Sequence, residues 1–208
     1  MSSLGILISG RGSNMEAILG AVRDGRIGAG AAVVISSRPD AAGLGIAKRM
    51  GVRTSVIEPA GEERPEYDER IAGELADAGV TPEGGLVCLA GFMRILGPGI
   101  VSRYKDRILN VHPSLLPSFP GLSAQRQAIE AGVRVSGCTV HIVDAGTDTG
   151  PIIEQAAVPV LPGDTEESLA ARILAEEHRI YPEAVAMMAD GRVEVRDGRV
   201  IRQKSTPP

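Results

Sequence analysis

Asn110, His112 and a later aspartate are the residues whose types and spacing could do chemistry in this sequence. Asn110 and His112 stand two apart in Arg107-Ile-Leu-Asn-Val-His112, an apolar run that ends at Pro113. If the run is a strand, side chains at i and i+2 share one face. An amide and an imidazole then point the same way where the chain leaves the sheet. Pro113 ends the run because proline cannot donate to a ladder. Adjacent polar groups on an apolar strand are costly to bury without partners, so a site at the strand end is the natural reading. An amide NH2 can donate to a developing oxyanion. An imidazole can move protons between attacking and leaving groups, for roughly 10²–10⁴-fold in rate. A carboxylate can orient the ring and favour its charged form. Together these groups suit acyl transfer without a covalent intermediate. Asp144-Ala-Gly-Thr-Asp-Thr-Gly150 offers two carboxylates; Asp148 is the candidate and Asp144 the rival, and spacing alone does not choose.

Two further stretches invite a ligand. Ser9-Gly-Arg-Gly-Ser-Asn14 lies between an apolar run and a helical pattern (Met15, Ile18, Leu19, Val22). Strand, glycine loop, helix is the layout of a phosphate site, where backbone N–H groups and a helix N-terminus meet an anion. A dinucleotide fingerprint would need a third glycine where Met15 stands and an acidic residue after the second strand, and has neither. The plain alternative is a glycine-rich turn without a ligand. Gly91-Phe-Met-Arg-Ile-Leu-Gly-Pro98 places Phe92, Met93, Ile95 and Leu96 in a loop, where they either cap the core or wall a pocket for a flat aromatic ligand. Of the other histidines, His141 alternates with Thr139 and reads as a half-exposed strand residue. His178 lies among charges and reads as part of a solvated helix face. No histidine pair has metal spacing and no G-x-S-x-G elbow occurs, so zinc and serine hydrolysis are not expected.

The elements that must carry these residues follow from periodicity. Short apolar runs at 4–9, 31–35, 53–57, 86–90, 107–112, 135–143 and 151–158 alternate with helical stretches at 15–22, 41–50, 67–78, 98–104 and 124–131. A long helix follows, N-capped by Asp164 with Glu167 and either stopped at Pro182 or kinked there and continued over 184–189. This alternation predicts an α/β fold with a doubly wound, mostly parallel sheet. The two neighbouring strands after residue 135 suggest an antiparallel edge. Asp197-Gly198 marks a C-terminal hairpin, and 203–208 reads as a loose tail. The 208 residues are 43% hydrophobic but only 2% aromatic, so the core must be built from Ala, Val, Ile and Leu. A single domain of this size would bury roughly 70% of its unfolded surface. The expected division is a phosphate-binding half over 1–100 and a catalytic half over 101–208. A net charge of −4 speaks against a general nucleic-acid binder. No run approaches a membrane span, no signal segment is expected, and Cys88 and Cys138 read as buried thiols of a cytoplasmic protein.

Asn110-x-His112-Pro-Ser-Leu-Leu-Pro117, with Gly137-Cys-Thr-Val-His141 leading to Asp148-Thr-Gly150, resembles the formyltransferase family that uses 10-formyltetrahydrofolate. The 9–14 and 90–96 stretches, with Glu177-His178-x-x-Tyr181-Pro182, resemble the branch that acts on a ribotide in purine synthesis. The resemblance implies formyl transfer from 10-formyltetrahydrofolate to the amine of a glycinamide ribotide, without a metal. It also implies roles. Asn110 would hold the formyl oxygen, His112 would be general acid and proton shuttle, and Asp148 would favour the charged ring. Gly12, Ser13 and Asn14 would hold the phosphate, and Glu177 the ribose hydroxyls. Arg64, Met93, Arg94, Ile95, Leu96, Asn110, Val143 and Asp144 would surround the folate. The partners implied are the small-molecule ribotide and folate, with no nucleic acid and no membrane, and with a homodimer left open. Ser123 and Gln125 stand where the family often has histidines, and Ile142, Ala145 and Thr147 replace commoner residues. The competing readings are a formyl-folate hydrolase of the same fold, which usually carries an extra N-terminal domain, and a non-catalytic nucleotide-binding module.

Overall fold

A computed structural model describes residues 2–203. Its main sheet has seven strands in the order β3-β2-β1-β4-β5-β6-β7. They are β1 (Ser2–Ile8), β2 (Ala29–Ser36), β3 (Thr54–Val56), β4 (Gly85–Leu89), β5 (Ile108–His112), β6 (Val135–Ile142) and β7 (Ile152–Pro159). β1 to β5 run parallel. β6 is antiparallel to β5, and β7 to β6. The expected parallel sheet with an antiparallel edge is therefore present. All five residues of β4 are buried, as befits a central parallel strand covered on both faces.

The helices divide unequally between the faces. One core cluster packs α1 (Ser13–Arg23), α2 (Ala42–Arg49), α5 (Ala124–Glu130) and α6 (Glu166–Ala189) against Ile6, Ile8, Leu109, Val111, Cys138 and Val140. The other packs α3 (Arg64–Asp77) and α4 (Pro98–Arg103) against Leu7, Val33, Val87 and Ile108. Because strand side chains alternate, Asn110, His112, Thr139 and His141 all lie on the second face. Two loops cover this polar strip. Thr139 Oγ1 donates to the Ser114 carbonyl (2.7 Å) and accepts from Leu116 N (3.0 Å) and Gln155 Nε2 (2.9 Å), pinning the loop after β5.

One expectation for α6 needs correcting. Its cap is Thr165, which exchanges hydrogen bonds with Ser168. Asp164 instead accepts from Leu161 N and pairs with Arg172 at 2.8 Å. Of the two outcomes expected at Pro182, the helix continues: the proline lies inside it. One missing N–H costs about 3 kcal/mol in a helix interior, but Ile180, Tyr181, Ala184, Val185 and Met188 are buried on both sides of it, and that packing carries the helix through. The hairpin is as expected: β8 (Val193–Arg196) and β9 (Arg199–Arg202) flank Asp197 and Gly198, with φ of 49° and 70°, as a two-residue primed turn requires. Both cysteines are buried and reduced. The tail from residue 204 on lies outside the described residues. No helix among the described residues is long and apolar enough to cross a membrane.

The loop after β1 depends on a close approach between two glycines. Gly12 has a φ of 79°, a region L side chains rarely adopt. Gly43 N donates to the Gly10 carbonyl at 3.1 Å. A Cβ at Gly43 would meet Ile8 Cδ1 at 2.7 Å and Gly12 Cα at 3.2 Å. Gly43→Ala should lower stability by about 1–3 kcal/mol, read as a fall in urea midpoint at constant m value. An unchanged midpoint would show that the loop has slack.

Candidate active site

The carboxyl ends of β1, β4 and β5 lie along one rim of the sheet, where ligands of open α/β folds gather. On the α1–α6 side of this rim is a cleft of about 670 Å³. Gly12, Ser13 and Asn14 line one wall and Glu177 the other, so the four residues expected at the ribotide are brought together. No side chain caps α1, and its first internal bond runs from Glu16 N to the Gly12 carbonyl (2.8 Å). The N–H groups of Ser13, Asn14 and Met15 thus have no partner within the helix. Asn14 Nδ2 donates to Glu177 Oε2 at 2.7 Å, joining the two walls. The Asn14 Oδ1 atom is buried without a partner. Burial pushes the Glu177 carboxyl above its ordinary value, opposed by the Asn14 hydrogen bond.

On the other face of the sheet, at the same rim, the fold brings Asn110, His112 and Asp148 together and adds His141. His112 Nδ1 is 3.2 Å from Asp148 Oδ2, and its Nε2 is 2.9 Å from the Phe119 carbonyl. Both nitrogens thus face acceptors. His141 Nδ1 donates to the Ile142 carbonyl (3.0 Å). Its Nε2 lies 3.2 Å from Asn110 Nδ2 and also faces Asp148, so it meets the amide as a lone pair or the carboxylate as an N–H. The other N–H of the Asn110 amide remains available. Asp148 also lies 3.6 Å from His141 and accepts from Gly121 N at 2.9 Å. His141, then the Gly121 N–H and the His112 charge, hold the Asp148 carboxyl below its ordinary value against the opposing effect of burial.

The structure separates the two rival aspartates. Asp148 touches His112, whereas Asp144 Oδ1 accepts from Gly146 N (3.0 Å) and Thr149 Oγ1 (2.7 Å) and so shapes the loop. The backbone N–H of neighbouring Val143 donates to the Ile108 carbonyl. The 91–97 loop is anchored at two points: Met93 N donates to Ser9 Oγ (2.9 Å) and Gly97 N to the buried Asp68 (2.6 Å). Met93 and Ile95 are 74% and 66% exposed and free to meet a ligand, whereas Leu96 is turned into the core. Arg94 lies 5.5 Å from the centroid of the Tyr67 ring. The Arg64 stem packs beside Gly97.

Two readings of the histidines are corrected. His141 is 2% exposed and belongs to the cluster, because β6 pairs with β5 so that it stands opposite Asn110. The i, i+2 pattern of Thr139 and His141 was visible in the sequence, but its register against Asn110 and His112 was not. His178 is half-buried with its Nε2 unpartnered, and burial lowers its pKa. Thr139, Gln155 and the Phe119 carbonyl are contributors that sequence reasoning missed.

Comparisons with known proteins identify the family. Residues 3–185 match the formyl transferase family. The chain is 44% identical over 193 residues to phosphoribosylglycinamide formyltransferase of Escherichia coli, covering 92% of this chain and 89% of that protein. It is 48% identical over 189 residues to the trifunctional purine biosynthetic protein adenosine-3 of Drosophila melanogaster, covering 89% of this chain but 14% of that much longer protein. The crystal structure of glycinamide ribonucleotide transformylase 1 from Symbiobacterium toebii superposes with a TM-score of 0.94 at 54% identity, covering 98% of this chain and 95% of that one. A formyltetrahydrofolate deformylase from Pseudomonas syringae, 23% identical with a TM-score of 0.89, shares the fold.

The depressed pKa of Asp148 has a signed consequence. Its stabilisation is fully present above the ordinary carboxyl value of 3.8 and is lost as pH falls through the lower folded value. Asn tolerates the same positive φ, 56° at this position, so Asp148→Asn isolates the charge. Wild type should exceed this variant in unfolding free energy at neutral pH, with the gap closing at the acid end. A gap that stays constant from roughly pH 5 to 2 would contradict the coupling.

Proposed function

This chain is a member of the formyl transferase family, and from that premise we propose that it formylates the amine of 5′-phosphoribosylglycinamide. The donor is 10-formyltetrahydrofolate, and the products are formylglycinamide ribotide and tetrahydrofolate, a step of purine synthesis. The observation that carries the reading is the Asn110–His112–His141–Asp148 cluster, set at the same rim as the cleft of the glycine loop. The whole chain acts as one formyltransferase unit in the cytoplasm. Its functional halves overlap, since Glu177 from the second half lines the cleft of the first.

The uncapped N–H groups of α1, with Ser13, hold the phosphate. Asn14 Oδ1 and Glu177 meet the ribose hydroxyls, which supply the donor that the buried Oδ1 lacks. The folate lies against Met93 and Ile95 with its formyl group towards Asn110. The ribotide amine attacks the formyl carbon, and the carbonyl electrons move onto oxygen. The free Asn110 N–H, its amide oriented by His141, donates to this oxyanion. His112 enters as imidazolium with its Nδ1 on Asp148. It exchanges the Phe119 carbonyl for the folate N10, delivers its proton there and takes up the proton lost by the attacking amine. The carbon–N10 bond breaks as the formamide forms, and the ring is left charged as it began.

A formyl-folate hydrolase would use the same cluster with water as acceptor. The phosphate cleft favours the ribotide, because a hydrolase has no anion to place there. One assay separates the two: loss of formyl-folate that depends on ribotide supports transfer, and formate release without ribotide supports hydrolysis. His112→Ala should reduce kcat by roughly 10²–10⁴-fold and Asn110→Ala by roughly 10²–10³-fold, with both substrates still bound; turnover close to wild type in either variant removes that residue from the mechanism. Asn14→Ala should raise the ribotide KM and spare the folate KM, and an unchanged ribotide KM would argue against the cleft.

A further inference from the structure

We propose that the Arg11 guanidinium is the cation that binds the ribotide phosphate and makes the enzyme select phosphorylated acceptors. This rests on the ribotide reading above and adds a residue to it. Among the described residues lining the cleft, Arg11 is the single Lys or Arg. The opposite wall, on α6, contributes two carboxyl groups, Glu167 and Glu177, and no cation. A phosphate monoester carries roughly −1.5 to −2 charges near neutral pH. The N-terminus of α1 offers about half a positive charge, too little to offset both the phosphate and a facing carboxylate. Without Arg11 the lining of this cleft would repel the group its backbone is shaped to receive.

Arg11 is placed and left free for this task. It stands between Gly10 and Gly12, in the turn whose backbone faces the cleft, and its side chain is exposed. Among the described residues its guanidinium makes no ion pair or hydrogen bond. In contrast, Arg38, in the loop after the neighbouring strand β2, is already engaged with both carboxylate oxygens of Asp40 (2.9 and 2.7 Å). An unpaired guanidinium can form the planar two-pronged contact with phosphate that an ammonium cannot. Because the contact is near solvent, added salt should weaken it.

The test is steady-state kinetics on the full chain with wild type, Arg11→Gln and Arg11→Lys, using the ribotide and its dephosphorylated riboside. Arg11→Gln should raise the ribotide KM roughly tenfold while the folate KM holds, and Arg11→Lys should restore part of the loss. The wild-type ribotide KM should climb with potassium chloride more steeply than that of Arg11→Gln. With the riboside the two proteins should converge. An active wild type whose ribotide KM is unmoved by Arg11→Gln overturns the assignment. So does an equal rise in both KM values, or a riboside penalty as large as the ribotide penalty. A wild type with no ribotide-dependent turnover would instead overturn the reading beneath it.

Discussion

A carboxylate shared between two imidazole rings is the interaction on which the site depends. Asp148 lies 3.2 Å from His112 and 3.6 Å from His141. The two rings are held differently. His112 has acceptors at both nitrogens, Asp148 and the Phe119 carbonyl. His141 Nδ1 donates to the Ile142 carbonyl, which sets the ring so that Nε2 stands 3.2 Å from the Asn110 amide nitrogen and 3.6 Å from Asp148. A ring that orients an amide is as necessary to an oxyanion contact as the amide itself.

The uneven helix cover explains how such a cluster survives inside a sheet. Helices bury apolar stripes, and a strip of Asn, His, Thr and His offers none. Loops carry backbone carbonyls and N–H groups that can meet those side chains, and here they do so through Ser114, Leu116, Phe119 and Gly121. The same loops stand at the strand ends, and the Phe119 carbonyl lies directly beside His112 Nε2.

The cleft across the rim follows another rule: its shape is set by backbone. Gly12 adopts a left-handed conformation, Gly43 allows α2 to approach it, and α1 begins without a side-chain cap. Glu177 reaches this wall from 163 residues away to meet Asn14. The shape of the cleft therefore depends on the seating of α6, which lines it from Glu167 to Glu177.

Much was legible in the sequence because its causes are local. Alternating short apolar runs and helical stretches dictated a doubly wound sheet. Gly-Arg-Gly-Ser-Asn between strand and helix marked the loop that lines the cleft, and Asp197-Gly198 marked the hairpin turn. The i, i+2 spacing of Asn110 and His112 at a proline-ended strand put both on one face at the strand end. What the sequence could not decide was everything set by register and return of the chain. The choice of Asp148 over Asp144 depends on how one loop folds back over the sheet. The membership of His141 depends on β6 pairing antiparallel to β5 with that residue opposite Asn110. The passage of α6 through Pro182 depends on packing on both sides of the proline. Local spacing can place a side chain on a face; only long-range pairing and burial determine what stands across from it, and the chemistry lies in that opposition.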